Sequence, residues 1–422
     1  MKKHTRLIIV LCLLAGFLAV SLPASVSGYF KSPYLVIAAY DDNKYSPAVA
    51  YNSLHDEYLV VWETDTSYGY HKIYGRRISG NGTLLDSFII SSPTSTSATF
   101  NCFNPAVVYD SINDQYLVVW AYDTLGDGSD WDVFGRYLPW SGPDPAKAEF
   151  AIATDRISEY KPKVAFNTVN GDTLLIWLED GTPDHPVAGT LIHNNGTYTL
   201  LDIASGGGNV RDFPDVTFNS GLNQYLVAWD VFNSGTGLDV HAVRIDSLGA
   251  KVPPGEITIA NSIKNEQHAS VAACATANQF LVTYQQTRDG ASDDDIWGNF
   301  LSGNGTLGAQ FFVAGTTAPQ GWPDATCNYT GDEYFIAWHD MYASPQFRYG
   351  IWGKWLRPDG STNADFEIVA PSTYRDRLYP AIASGRAKTL VVWVHGRENP
   401  NYQDIWGSLV CPNVIFLPLL QK

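Results

Sequence analysis

One composite phrase recurs along the 422-residue chain, and that recurrence constrains the fold more than any other feature. It runs P-x-V-x-[YF]-N, then Y-L-V-V-W, then D-[IV]-[WYF]-G. The aromatic that closes its second part is Trp62, Trp120, Trp177, Trp229, Tyr284, Trp338 and Trp393, at separations of 58, 57, 52, 55, 54 and 55 residues. Fifteen residues before the first six stand Pro47, Pro105, Pro162, Pro214, Ala269 and Pro323, and Pro380 stands thirteen before Trp393. A fixed period of this length marks units that bury their apolar faces against their neighbours.

Each unit holds four strand-like pieces, such as Val49–Tyr51, Tyr58–Trp62, Ile73–Ile78 and Phe88–Ile90 in the first. Apolar β-branched and aromatic residues fill them, with turn residues between. Asn81-Gly82, Asn195-Gly196, Asn304-Gly305 and Asp359-Gly360 fall between the third and fourth pieces, where a type I′ turn is expected. The repeat is therefore a four-stranded antiparallel meander, the unit of a propeller blade. A parallel β-helix needs shorter coils, and a sandwich does not repeat its sequence. Blades splay apart away from the axis, and a buried indole fills the widening gap. The seven strand-B aromatics are thus read as core packing rather than as a ligand site.

Closure is also written in the spacing. The fourth-strand phrases are Phe150-Ala-Ile152-Ala, Leu201-Asp-Ile203-Ala, Ile257-Thr-Ile259-Ala and Phe311-Phe-Val313-Ala. Leu35-Val-Ile37-Ala matches them but has no blade before it, and repeat seven ends too soon for a fourth strand. Residues 34–39 are expected to complete blade seven and so remove the exposed sheet edge. The expectation is an all-β, seven-bladed β-propeller over residues 29–411.

The units resemble the propeller repeats of exported bacterial proteins, distantly of the TolB and WD40 kinds. Asp295-Ile-Trp-Gly298, Asp404-Ile-Trp-Gly407 and Asp132-Val-Phe-Gly135 carry the likeness to the D-I-Y strand of TolB-type propellers. The resemblance implies the fold and leaves the activity open, because propellers host many unrelated functions. The last residues, Val414 to Leu420 within a tail of 412–422, resemble a short hydrophobic tail of some exported bacterial proteins; a packed extension is the alternative.

Residues 1–28 read as a secretory signal peptide: Lys2, Lys3 and Arg6, then an apolar stretch from Leu7 to Val20, then small residues at Ala24, Ser25, Ser27 and Gly28. Cys12 lies inside the apolar run with no small residues before it, against a lipoprotein anchor. Without that segment, 24 basic side chains face 43 acidic ones, a net charge of −19. Such a surface repels phosphate backbones and anionic lipid, so no nucleic acid and no membrane insertion are expected. The protein is expected to be secreted, extracellular or cell-surface, and a monomer.

Candidate binding chemistry concentrates where the loops joining D to A and B to C share one face. Tyr45, Phe103, Tyr160, Phe213, Trp322 and Tyr379 precede strand A in six repeats. They either ring the mouth, where sugars stack on them, or plug the gaps between blades. Acidic B–C loops carry Asp123, Asp127, Asp130 and Asp132, and Asp289, Asp293, Asp294 and Asp295. Calcium wants six to eight such oxygens, but the spacing is not that of an EF-hand, and solvated acidic turns are the plainer reading. No cofactor is otherwise implied. Asp132, Asp239, Asp295 and Asp404 share one repeated position and are expected to anchor their loops.

No H-E-x-x-H, G-x-S-x-G, phosphate loop or G-x-G-x-x-G before a helix occurs. His339-Asp340 follows a strand-B Trp near the same face. The favoured reading is a binding module for an extracellular glycan or protein. A glycan-cleaving hydrolase or lyase using carboxylates on that face is the alternative, and a structural surface protein a third.

After Cys12, four cysteines remain: Cys102, Cys274, Cys327 and Cys411. Cys274 lies five residues after the strand-A marker of repeat five, and Cys327 four after that of repeat six. Strand side chains alternate, so the two point to facing sides of neighbouring blades and are expected to form a disulfide. Cys102 and Cys411 are expected at opposite ends of the propeller, unpaired.

Overall fold

The computed structural model describes residues 30–411 apart from 40–41, 67–69, 92–100, 156, 181–183, 289–292, 317, 343–347, 372–374 and 398–401. The expected signal peptide, the C-terminal tail and Asp289 lie outside the described residues. Seven antiparallel sheets follow one another along the chain. Blade 1 illustrates them: strand A is Asn43–Asn52, B Glu57–Asp65, C His71–Ser79 and D Leu84–Ile89. The strands are longer than their apolar centres, because ladder pairing continues through the polar residues at both ends. A 3-10 turn at Ala275–Ala277 is the one helical element among the described residues. None of their helices is long and apolar enough to cross a membrane.

The A strands of successive blades touch one another and close on themselves between blades 7 and 1. Seven apolar clusters fill the seven interblade spaces, and each holds one strand-B aromatic. Trp229 packs between blades 3 and 4, for example, against Leu174, Ile176 and Leu191. All seven are at most 3% exposed, so their task is packing. By area each contributes ~4–6 kcal/mol as an upper bound.

The rest of the phrase has mechanical roles as well. Its Asn ends strand A and caps the A–B turn: Asn52 Oδ1 accepts the N–H groups of Leu54 and His55, both at 3.0 Å. Asn219 does the same for Gly221 and Leu222. The Tyr that opens Y-L-V-V-W reaches the preceding blade. Tyr58 of blade 1 donates to the Lys388 carbonyl of blade 7 at 2.5 Å, and Tyr334 of blade 6 to the Gln279 carbonyl of blade 5 at 3.2 Å.

Leu35–Ala38 pairs with the last strand, Gln403–Cys411, and completes blade 7. The Gly of D-[IV]-[WYF]-G explains why this segment substitutes for a fourth strand. A Cβ on Gly75 would meet Ile90 at 2.8 Å, and one on Gly135 would meet Ile152 at 2.8 Å. A Cβ on Gly407 would meet Ile37 at 2.9 Å. The N-terminal Ile therefore fills the same notch as the fourth-strand Ile of blades 1 and 2. Phe30–Lys31 extends the closure by pairing with Cys411 and Val410.

The C–D turns differ from expectation. Gly82, Gly196, Gly305 and Gly360 have positive φ, but Asn81, Asn195, Asn304 and Asp359 do not. Ser79 accepts the Gly82 N–H at 2.8 Å and donates its own N–H to Thr83 at 3.0 Å. That is a three-residue loop, a type I turn followed by a left-handed Gly, rather than a two-residue type I′ turn. The Asn side chain favours it by accepting the N–H two residues on: Thr83 at 3.1 Å, Thr197 at 3.0 Å and Thr306 at 3.0 Å. The three Asn-Gly-Thr sequons are accounted for by this turn.

Candidate functional site: the axial mouth

The seven A strands enclose an axial channel of about 860 Å³. At its mouth every A strand breaks register at the same point, between Tyr45 and Ala48 in blade 1 and between Leu378 and Ala381 in blade 7. Two residues are skipped in each blade. The second is the strand-A marker, Pro in six blades, which has no N–H to give the ladder. The first is left-handed in every blade: Ser46, Asn104, Lys161, Phe213, His268, Trp322 and Tyr379, with φ of 48, 49, 51, 46, 55, 53 and 54°. None is glycine. A left-handed non-glycine residue costs roughly 1–2 kcal/mol, and such strain concentrates at functional sites.

These seven residues line the mouth as two unlike arcs. Blades 1–3 contribute Ser46, Asn104 and Lys161, which are polar. Blades 4–7 contribute four rings in continuous contact. Phe213 meets His268 edge-on at 4.2 Å, and His268 stacks on Trp322 at 3.9 Å. Tyr379 meets Trp322 edge-on at 4.7 Å and is 40% exposed. The Lys161 ammonium lies 3.9 Å over the Phe213 ring and also pairs with Asp212, joining the two arcs. Burial pushes the His268 imidazole down to about 4, so the arc is uncharged at neutral pH. Behind it, His339 contacts Tyr379 and Tyr349 and is pushed down by burial to about 3.

The six sequence-predicted aromatics thus divide. Phe213, Trp322 and Tyr379 hold the left-handed position. Tyr45, Phe103 and Tyr160 lie one residue earlier, still on the ladder opposite Glu63, Ala121 and Leu178. Phe103 packs on His71 and Trp131, and the Tyr160 hydroxyl meets His185 Nδ1 at 3.2 Å. Tyr45 borders the channel. Counting backward from the strand-A marker separates the two groups, and it adds His268 and Lys161, which a search for aromatics passes over.

Beneath the mouth, the residue after each marker forms a second ring, and in blades 3–6 it is polar: Lys163, Asp215, Ser270 and Asp324. These side chains brace the innermost strands. Asp215 accepts the Val271 N–H of blade 5 at 2.9 Å, Ser270 the Ala325 N–H of blade 6 at 3.2 Å, and Asp324 the Ile382 N–H of blade 7 at 2.8 Å. Burial, and then the Asp215 charge, push Asp324 up to about 6.

The acidic B–C loops are held by their own carboxylates. Asp123 accepts the N–H groups of Gly126 at 2.8 Å and Gly128 at 3.0 Å. At the repeated position, Asp239 accepts from Thr236 at 2.7 Å and Asp404 from Arg397 Nε at 2.9 Å. Among the described residues no group of three or more Asp, Glu, His or Cys is placed to hold a metal ion.

No family model matches the chain, and no curated protein matches it in sequence. Its fold is similar to that of solved propellers. The polysaccharide lyase Uly1 aligns with a TM-score of 0.55 at 8% identity, over 91% of this chain and 100% of its own. The α-L-arabinofuranosidase Arb93A of Fusarium graminearum, solved in complex with an iminosugar inhibitor, aligns with a TM-score of 0.50 at 12% identity, over 74% of this chain and 93% of its own. At these identities the likeness is one of fold. Both are named for action on glycans, and neither is a TolB or WD40 propeller, so the sequence resemblance reaches no further than the repeat architecture.

Proposed function

We propose that the chain is an exported, monomeric binding module that takes a glycan at the axial mouth, stacking sugar rings on the arc Phe213–His268–Trp322–Tyr379. The observation that carries this reading is the ring of left-handed residues. Seven strained positions hold their side chains at one opening, and on four adjacent blades those side chains are flat. The apolar faces of a sugar pack on such rings, while Ser46, Asn104 and Lys161 opposite offer hydrogen bonds to its hydroxyls. Binding is favoured over cleavage because the two carboxylates that line the channel among the described residues are already engaged: Asp215 and Asp324 each accept a backbone N–H of the next blade.

The test is a glycan array with and without chelator, followed by calorimetry on the best ligand. Trp322→Ala and Tyr379→Ala are expected to weaken binding about tenfold each, with little change in melting temperature. Shortened oligosaccharides after incubation would replace this reading with the hydrolase or lyase one. Unchanged affinity in both variants would remove the arc from the binding site.

A further inference from the structure

We propose that the opening of the axial channel opposite the mouth carries a second saccharide site, in which a neutral sugar unit stacks on Tyr329 beside Arg386, so that one molecule holds two glycan chains. This rests on the glycan reading above and adds a site that the mouth does not contain.

The repeat itself marks the place. Four residues after the strand-A marker stands the [YF] of the phrase: Tyr51, Tyr109, Phe166 and Phe218 in blades 1–4. In blades 1, 2 and 4 this ring packs on the Tyr that opens strand B of its own blade, at 5.1 Å for Tyr51 on Tyr58, 5.2 Å for Tyr109 on Tyr116 and 4.8 Å for Phe218 on Tyr225. Blades 5–7 have Ala273, Cys327 and Ser384 instead. The volume so freed is not all refilled. A cavity of about 250 Å³ lies at the ends of the A strands of blades 4–6, with Thr217, Thr326, Asn328 and Tyr329 among its walls. It adjoins the axial channel, since Thr217, Val271, Ala325 and Thr326 line both.

Two residues further on, the turns diverge in the same way. Blades 1–4 place Ser53, Ser111, Thr168 and Ser220 six residues after the marker, and blades 5–7 place Ala275, Tyr329 and Arg386 there. Tyr329 is 50% exposed yet is held from two sides. Its ring meets Tyr51 of blade 1 edge-on at 6.0 Å, and the Arg386 guanidinium of blade 7 lies 6.0 Å over it. Arg386 is itself tied to blade 1, donating to the Ser53 carbonyl at 2.7 Å. Tyr329 thus reaches from blade 6 across blade 7 to blade 1. A large ring fixed by its neighbours and left half open to water loses little freedom when a ligand covers it.

The lining names the ligand class. Among the described residues no charged side chain lines the cavity, which offers the hydroxyls of Thr217 and Thr326. Arg386 supplies further donors beside the ring. A neutral sugar matches these groups: its apolar face covers the ring, and its hydroxyls meet hydroxyls and guanidinium. Trp322 and Tyr329 are seven residues apart, on one A strand and the turn that follows it. At the rise of a strand the two sites stand roughly 20 Å apart along the axis. A short saccharide therefore occupies one or the other.

The experiment is calorimetry of the full chain with xylotriose, mannotriose and cellotriose, on the parent, Tyr329→Ala and Trp322→Ala. At least one trisaccharide is expected to bind at two per chain. Tyr329→Ala is expected to weaken one of the two events at least tenfold with the melting temperature unchanged, and Trp322→Ala to weaken the other. One sugar per chain, lost in Trp322→Ala and kept in Tyr329→Ala, would overturn the second site and leave the arc as the glycan site. One sugar per chain with the reverse pattern would keep the second site and remove the arc. Two sugars per chain in Tyr329→Ala would put the second elsewhere and overturn the proposal. If none of the three binds, both readings fall.

Discussion

The carboxylate of Asp230, which follows the strand-B Trp229 of blade 4, accepts the backbone N–H of His268 in blade 5 at 2.7 Å. It takes the Ala269 N–H as well, at 3.3 Å. The same bracket recurs where the side chain allows. Glu63 of blade 1 accepts from the Asn104 N–H at 3.3 Å, and Gln285 of blade 5 from the Trp322 N–H at 3.1 Å. The left-handed residues have left the ladder, and these side chains take up the N–H groups so freed. In blades 1, 4 and 5 the residue after the strand-B aromatic is thus part of the mouth of the next blade.

Asp230→Ala is expected to lower stability by about 2–3 kcal/mol in urea unfolding, because two buried N–H groups lose their acceptor. Asp230→Asn keeps an oxygen in place and relieves a fully buried carboxyl that burial holds well above its ordinary range. It should cost less than half as much. Equal losses in the two variants would show that the charge, rather than the acceptor, matters.

Ring closure makes a separate prediction. Deleting residues 29–40 removes Ile37 from its notch over Gly407 and leaves the last strand of blade 7 unpaired on one side. The truncated chain is expected to melt at a lower temperature and to self-associate through that edge. Ile37→Asp should reproduce the thermal loss without shortening the chain. A truncated chain that stays monomeric with unchanged melting would contradict the closure.

Glu159 sits 1% exposed at the start of strand A in blade 3. Burial raises its carboxyl to about 8, with Asp132, Asp155 and Glu179 adding to the effect. A folded value above the ordinary 4.5 means that the folded state binds the proton more tightly. Its stabilising effect is complete below about 4.5 and is lost as pH rises toward 8. Glu159→Gln can still accept the Asp155 N–H, now made at 3.3 Å, and has no charge to bury. It should therefore gain on the order of 1–3 kcal/mol at pH 7 and nothing at pH 4, read from unfolding curves at both pH values.

The sequence made the ring legible because a propeller repeats its constraints. A strand-B indole, a capping Asn and a notched Gly must recur wherever a blade meets its neighbour, so seven copies expose the period. The mouth was less legible for the same reason in reverse: function there depends on what differs between blades. Ser46, Asn104, Lys161, Phe213, His268, Trp322 and Tyr379 share a backbone conformation and no chemistry, so residue type alone did not group them. Tyr45, Phe103 and Tyr160 were grouped with them by chemistry despite sitting on the ladder.

The cysteines give the last prediction. Cys274 of blade 5 and Cys327 of blade 6 are joined by a disulfide with a Cα separation of 5.3 Å, across 53 residues of sequence. Cys102 opens strand A of blade 2 and Cys411 closes strand C of blade 7, on opposite faces of the propeller, and both are free and buried. Burial pushes the Cys102 thiol up to about 12, which leaves almost no thiolate to react at pH 8. Alkylation of the native protein at pH 8 should therefore label neither Cys274, Cys327 nor Cys102. With residues 1–28, and so Cys12, removed, unfolding without reductant should expose two thiols, Cys102 and Cys411, and reductant should expose four. Replacing Cys274 and Cys327 together by Ala should cost about 2–4 kcal/mol, since a loop of this length is no longer restrained in the unfolded chain. Peptide maps showing Cys102 joined to Cys411, or Cys274 alkylated without reductant, would overturn the assignment. A double variant as stable as the parent would limit the bridge to a bystander between blades already held together by the Trp338 cluster.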